Sequence, residues 1–259
     1  MNRAFLLLIS LIVTSVVTPP ISTWAQKTGM KPQKLLLHEG EQLNYDVSWS
    51  DFVVAADMKI TTTTRNNTGG TDSMKITAQT QSVGVVKILG YKLNDTYDTY
   101  VDTTSLRPIR CERNTIHGKK ALHTTVTIDA QKNIANYDDG ISVNIPPGTF
   151  DLISFLYIIR NMDIKPGKRT YASLLEDKKI YKLSIEPEAR EKVYTRVATY
   201  DAVRIAIKQA DGSNIKDDFK ARVFLTRDSR RLPVLLTADL SWGQVRMELT
   251  SYIPFAGEK

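Results

Sequence analysis

The residues whose types could do chemistry are few: three histidines, a single cysteine and one adjacent pair of arginines, Arg230 and Arg231. His117 and His123 flank Gly118-Lys119-Lys120, which reads as a hairpin turn, so the two imidazoles can face each other across it. A zinc site on that pair needs one or two more ligands, with Glu112 and Asp129 the nearby candidates. Against this, His123 shares its strand face with Thr125 and Thr127, which is the polar face, and His38 sits in the polar stretch HEGEQ. Cys111 would need a histidine to take its proton before it could act as a nucleophile. It runs in phase with Ile109 and reads instead as a small buried core residue. Asp138-Asp139-Gly140 lacks the later ligands of a calcium loop and reads as a turn. The chain has no Gly-x-Ser-x-Gly elbow, no His-Glu-x-x-His and no phosphate-cradling glycine loop. The expectation is therefore a protein that is not an enzyme and that uses neither metal nor cofactor. A hydrolase assembled by folding from Asp228, Arg230 and the histidines is the weakest competitor.

The arginine pair lies in D228-SRRLPV-L235, and V101-DTTSLRPI-R110 has the same plan: strand, aspartate, polar residues, leucine, proline, new strand. Aspartate favours a turn through local side-chain hydrogen bonds, and proline, lacking an amide hydrogen, belongs at the first position of a strand. Two copies of one corner make a structural role the simpler account. Arg230 and Arg231 become rim residues, with Arg230 retained as a candidate partner for a ligand carboxylate.

The elements that must position these residues are mostly strands. Strict alternation runs through Ala221, Val223 and Leu225, through Val234 to Trp242 on even positions, and through Val245, Met247 and Leu249. It recurs at Tyr181, Leu183 and Ile185, at Val193, Thr195 and Val197, at Val203, Ile205 and Ile207, and at Leu122, Thr124, Val126 and Ile128. Trp242-Gly243-Gln244 reads as a tight hairpin between the last two strands. Two segments break the period. SVGVVKIL, from Ser82 to Leu89, fits a short helix or a strand. T149-FDLISFLYIIRN-M162 fits a helix capped by Thr149 or Asp151, with apolar groups nearly all round it. Such a helix needs burial on most sides. The fold class that follows is mainly β: a single strongly curved antiparallel sheet, or half-open barrel, of about a dozen strands wrapping one central apolar helix.

Phe155, Tyr157 and Ile159 on that helix, with Trp49 and Trp242 on strands, could line an apolar cavity, although a filled core is the plainer arrangement. Residues 1–25 read as a secretory signal peptide, with Arg3 before an apolar run from Ala4 to Val13 and the small pair Thr23 and Ala25 before Gln26. That run is too short for a spanning helix. Residues 26–38 read as a flexible lead-in and 39–259 as a single β domain. One cysteine cannot form an internal disulfide. The net charge of +7 is spread along the chain, and export argues against nucleic acid as a partner. The expected protein is periplasmic or extracellular and does not span the membrane after cleavage. It binds or carries an apolar or amphiphilic ligand such as a lipid, or else docks an envelope protein as an assembly component.

Four stretches carry a family resemblance: G40-EQLNYDVSW-S50, V101-DTTSLRPI-R110, F150-DLISFLYIIRNMDIKP-G167 and R227-DSRRLPVLLTADLSWGQVRMELTS-Y252. In these the chain resembles the bacterial family of exported proteins called domain of unknown function 3108. Val53, Val54 and Ala55 stand where that family often has glycine. The resemblance implies an all-β fold with a strongly curved sheet, similar to the half-open barrels of periplasmic lipoprotein carriers. It implies no catalytic residue.

Overall fold

Alternation of apolar and polar residues becomes one sheet along almost the whole chain. The computed structural model describes residues 35–49, 53–68, 71–90, 92–210, 220–240 and 243–256. The signal-peptide reading, most of the lead-in and Trp242 lie outside the described residues. The first half supplies β1 (Gln42–Trp49), β2 (Val53–Thr68), β3 (Thr71–Ser82), α1 (Gly84–Ile88), β4 (Leu93–Asp102), β5 (Pro108–His117), β6 (Lys120–Asp129), β7 (Ile134–Tyr137) and β8 (Ser142–Asn144). The second half supplies β9 (Thr149–Phe150), α2 (Leu152–Asn161), β10 (Thr170–Glu176), β11 (Lys179–Tyr194), β12 (Thr199–Gln209), β13 (Lys220–Thr226), β14 (Pro233–Leu240) and β15 (Gly243–Ile253).

Each half is a meander, and the two join where β1 pairs with β15, leaving β8 and β9 as unjoined edges of one open sheet. The described residues form fifteen strands, against about a dozen expected. The difference comes from β7, β8 and β9, which at four, three and two residues are too short to display a period. The sheet is mixed, not purely antiparallel: β9 and β10 run parallel. α2 is the connection between them, and a helical crossover returns the chain in its original direction. Val193, Thr195 and Val197 are not a separate strand, since β11 ends at Tyr194 and Thr195 to Ala198 is its turn.

The sheet curls on itself. Arg113 on β5 reaches Glu176 on β10 at 2.6 Å and Asp177 at 3.0 Å, although these strands are far apart in sheet order. Nearby, the Lys178 amide donates to the Tyr137 hydroxyl at 3.1 Å. Ala135, Tyr137 and Ile145 pack with Leu175 in a small apolar cluster that bridges the two ends of the sheet. Part of the outer face is covered. The tip of the β11–β12 hairpin folds back so that the Arg196 amide donates to Glu248 on β15 at 3.0 Å and Arg246 donates to the Tyr194 carbonyl at 3.2 Å. The hairpin tip reaches the row of Phe224, Leu235 and Glu248, and the first two are buried where alternation alone places them in solvent; Thr226 is buried at its own corner, its hydroxyl accepting from the Leu232 amide at 2.8 Å.

α2 forms at its expected place, and Asp151 is its cap. The Asp151 carboxylate accepts from the Ser154 amide at 2.9 Å, and the Ser154 hydroxyl accepts from the Asp151 amide at 3.1 Å. This reciprocal pairing satisfies two backbone donors that a helix start leaves open. Residues 153–160 are all buried. Their apolar members share one core with Leu43, Tyr45, Ile60, Ile76, Val101 and Leu225. α2 lies against β4, β9 and β10 and beside the start of β1, toward one end of the concave face, so the wrapped central arrangement is only partly realised.

Candidate functional site

The concave face is graded. On β1 the inward residues run Leu43, Tyr45, Val47 and Trp49, the first three buried and the last half-buried. On β14 Val234 is fully buried, while Leu236 and Ala238, in the same phase, are half-buried. β13 repeats this with Leu225, Val223 and Ala221. The pairing register puts these residues in common rows: Leu236 faces Met247, which faces Val47, and Ala238 faces Val245, which faces Trp49. The concave face is therefore sealed at the α2 end and open to solvent at the other, where Trp49, Met58, Leu93 and Leu236 are half-buried.

Polar groups sit on the same face toward the open end. Thr80, Asp95 and Thr115 occupy one row across β3, β4 and β5, and all three are buried. Asp95 is held by the Ile116 amide at 3.2 Å and shares a 2.9 Å hydrogen bond with His117 Nε2. The Thr80 hydroxyl is buried without a hydrogen-bond partner among the described residues.

The sealed end is locked by charge. Arg160 on α2 pairs with Glu41 through two bonds, Nη1 to Oε2 at 2.7 Å and Nη2 to Oε1 at 2.8 Å. Both side chains are 1% exposed. The Tyr157 hydroxyl donates to the same carboxylate at 3.3 Å, and Arg160 also donates to the Arg230 carbonyl at 3.1 Å. Burial works against the Arg160 charge, but the bonds to Glu41 outweigh it and hold the guanidinium protonated. Burial likewise pushes the Tyr157 and Tyr45 hydroxyls far above the usual phenol range, so both stay neutral donors. Tyr45 donates to the Pro233 carbonyl at 2.9 Å. This cluster was missed from sequence, although its signal was present: one arginine on a helix apolar all round requires a buried partner.

The corner at 228–233 belongs to the same lock. Arg231 adopts φ +46°, a left-handed conformation uncommon for a side chain of this size, and its guanidinium donates to the Arg160 and Met162 carbonyls at 3.2 and 2.6 Å. It thereby satisfies the open carbonyls at the C-terminus of α2 and places positive charge at the negative end of the helix dipole. Arg231 is thus half-buried structure and not a rim residue. Arg230 is exposed, bonded to Asp228 at 2.8 Å and lying 5.9 Å over the Tyr252 ring. The two corners differ by one residue. Leu106 takes the left-handed position in the first, at φ +59° and fully buried, whereas in the second Arg231 takes it and the buried Leu232 follows.

The remaining sequence candidates are dispersed. Phe155, Tyr157 and Ile159 are buried at the sealed end, while Trp49 lies at the open one. His117 and His123 do not face each other: His117 lies inward on Asp95, and His123 turns outward to Asn114 at 2.7 Å. No cluster of three metal-ligating side chains occurs among the described residues. Cys111 faces inward near Asp151 and Thr99. Burial, reinforced by the Asp151 carboxylate, pushes its thiol well above the usual range, which disfavours a thiolate nucleophile.

The family model described as protein of unknown function (DUF3108) matches residues 44–250. No curated protein matches the chain. Among solved structures, the chain is similar to a β-barrel-like protein of domain of unknown function DUF1849 from Brucella abortus. The TM-score is 0.59 at 11% identity, over 83% of this chain and 97% of that one. A DUF1089 family protein from Pseudomonas aeruginosa aligns at TM-score 0.35 and 8% identity, over 83% of this chain and 95% of that one.

Proposed function

Because the chain belongs to the DUF3108 family, whose function is unknown, its role must be argued from its own face, and we propose a non-enzymatic carrier of an apolar or amphiphilic ligand. The observation that carries this reading is the graded concave face, chiefly apolar along β1, β13 and β14 and half-buried at Trp49, Met58 and Leu236. An apolar surface left partly open inside a curved sheet is where an acyl chain gains burial, at about 25 cal/mol per Å². The row of Thr80, Asp95 and Thr115 beside it, although buried, supplies polar groups of the kind that orient the head of an amphiphile. In this reading the protein works in the periplasm after removal of residues 1–25. Among the described residues no helix is long and apolar enough to cross a membrane.

The test is native mass spectrometry of the protein recovered from the periplasm of an expressing cell without detergent. The expected result is a co-purifying species of lipid mass, released on denaturation and reduced in Leu236→Gln and Met58→Gln, two half-buried positions outside the sealed core. A wild-type protein found only at its bare sequence mass overturns the carrier reading.

A further inference from the structure

The rim of the open end carries a patch that neither the fold nor the carrier reading requires. α1 and the turn after it expose Ile88 at 83% and Leu89 at 68%, with the Lys87 and Lys92 side chains also in solvent. The neighbouring β5–β6 hairpin exposes Leu122 at 62%, with Ile116 on the opposite face and Lys119 and Lys120 at its tip. The two segments touch. The Gly118 amide donates to the Lys92 carbonyl at 2.7 Å, and the Gly90 amide donates to the Lys87 carbonyl at 3.1 Å. Gly118, at φ +63°, makes the hairpin tight enough for that approach. Val53 at the start of β2 is exposed on the same side, where α1 packs on β2.

The charge of these two touching segments is one-sided. Segments 83–93 and 115–123 contain four lysines and no aspartate or glutamate. Asp95, just beyond the first segment, is buried against His117 and the Ile116 amide. Elsewhere on the surface several arginines are answered by acids: Arg204 by Glu188 and Glu191, Arg169 by Glu186, and Arg227 by Asp201. Large exposed aliphatic side chains ringed by lysines that have no acidic partner among the described residues are the chemistry of a contact with an anionic bilayer. The aliphatic groups enter the interface and the ammonium groups meet lipid phosphates. A protein partner is less well matched, because protein interface cores are depleted in lysine.

We infer that this rim, formed by Val53, Ile88, Leu89, Ile116 and Leu122 with Lys87, Lys92, Lys119 and Lys120, docks on an anionic phospholipid surface. Docked this way, the open end of the concave face meets the membrane and the α2 end points away. The inference goes beyond the carrier reading and stands without it, since a rim can dock whether or not the face behind it holds a ligand.

The experiment uses the periplasmic protein with a single environment-sensitive fluorophore (NBD). It is attached at Leu122→Cys, or as a control at Tyr194→Cys on the far hairpin tip, both in a Cys111→Ser background. Tyr194 is 69% exposed, so the control is equally accessible. Vesicles of 30% phosphatidylglycerol in phosphatidylcholine are expected to brighten the Leu122 label at least twofold and leave the Tyr194 label unchanged. Pure phosphatidylcholine should do neither. Each lysine near an anionic surface contributes about fivefold to partitioning, so Lys87→Glu/Lys92→Glu/Lys119→Glu/Lys120→Glu should lower vesicle binding by more than 100-fold. Ile88→Ser/Leu89→Ser, at exposed positions that leave the core intact, should reduce the brightening with the lysines in place. Equal response to both vesicle types, brightening at Tyr194 instead, or binding only when membrane proteins are present would each overturn the inference. Native mass spectrometry of the same variants reads ligand content separately.

Discussion

Removing one side of the Glu41–Arg160 pair gives the sharpest prediction. Both side chains are 1% exposed, and two bonds of 2.7 and 2.8 Å join them. Replacing Arg160 by methionine leaves the Glu41 carboxylate buried with only the Tyr157 hydroxyl as a side-chain donor, at 3.3 Å. An uncompensated buried charge costs about 3–5 kcal/mol, a large share of the roughly 5–15 kcal/mol that stabilises an ordinary domain. Glu41→Leu should cost as much, because it strands the guanidinium. The double variant Glu41→Leu/Arg160→Met removes both charges and leaves only neutral groups unsatisfied, the Tyr157 hydroxyl and the Arg230 carbonyl, at about 1–3 kcal/mol. It should therefore be more stable than either single variant. The assay is urea unfolding followed by far-ultraviolet circular dichroism on all four proteins. Raising salt from 0.1 to 1 M should change the wild-type midpoint little, since a buried pair is poorly screened. A double-variant loss equal to the sum of the two single losses would refute the lock.

Other expectations follow from the same geometry. Burial raises the Glu176 carboxyl to about 7, with Arg113 at 2.6 Å limiting the rise. The native state then holds a proton that the unfolded chain releases near 4.5, so stability should fall, by about 3.5 kcal/mol at most, as pH rises from about 4.5 to 7. Glu176→Gln should flatten that slope in thermal melts across the range. Asp151→Ala removes the α2 cap and the bond from Thr99, and should cost about 1–2 kcal/mol by urea titration. Leu106→Ala at the first corner empties a fully buried site and should cost about 2–5 kcal/mol in the same titration, whereas exposed Arg107→Ala should be near neutral.

Much of the sheet was legible because alternation reports a face that is buried on one side. β14 and β15 form where their alternation runs. Where both faces are covered, the signal misleads: Phe224 and Leu235 look solvent-facing in the sequence, yet both are buried in the row that the folded-back β11–β12 hairpin reaches. Asp151 was readable as a cap from local chemistry. The partner of Arg160 was not, since Glu41 lies 119 residues away and no local rule selects it from the other acids. Leu122 was placed in an alternating strand, but β6 pairs with β7 only from Val126 onward, which leaves its first half as an open margin. The patch around α1 was hidden for a similar reason, because neither turn reveals from its own residues that the other lies beside it.

The pairing of β1 with β15 sets the timetable of folding. The central ladder joins Gln42 to Ile253, so nearly the whole chain must be present before the middle of the sheet can form. Contacts of such separation are slow to close, and a chain still emerging from a ribosome or a translocation pore cannot make them. Until β15 arrives, β1 has one neighbour and an open edge. The topology therefore delays commitment to the native state, as the export proposed above would require.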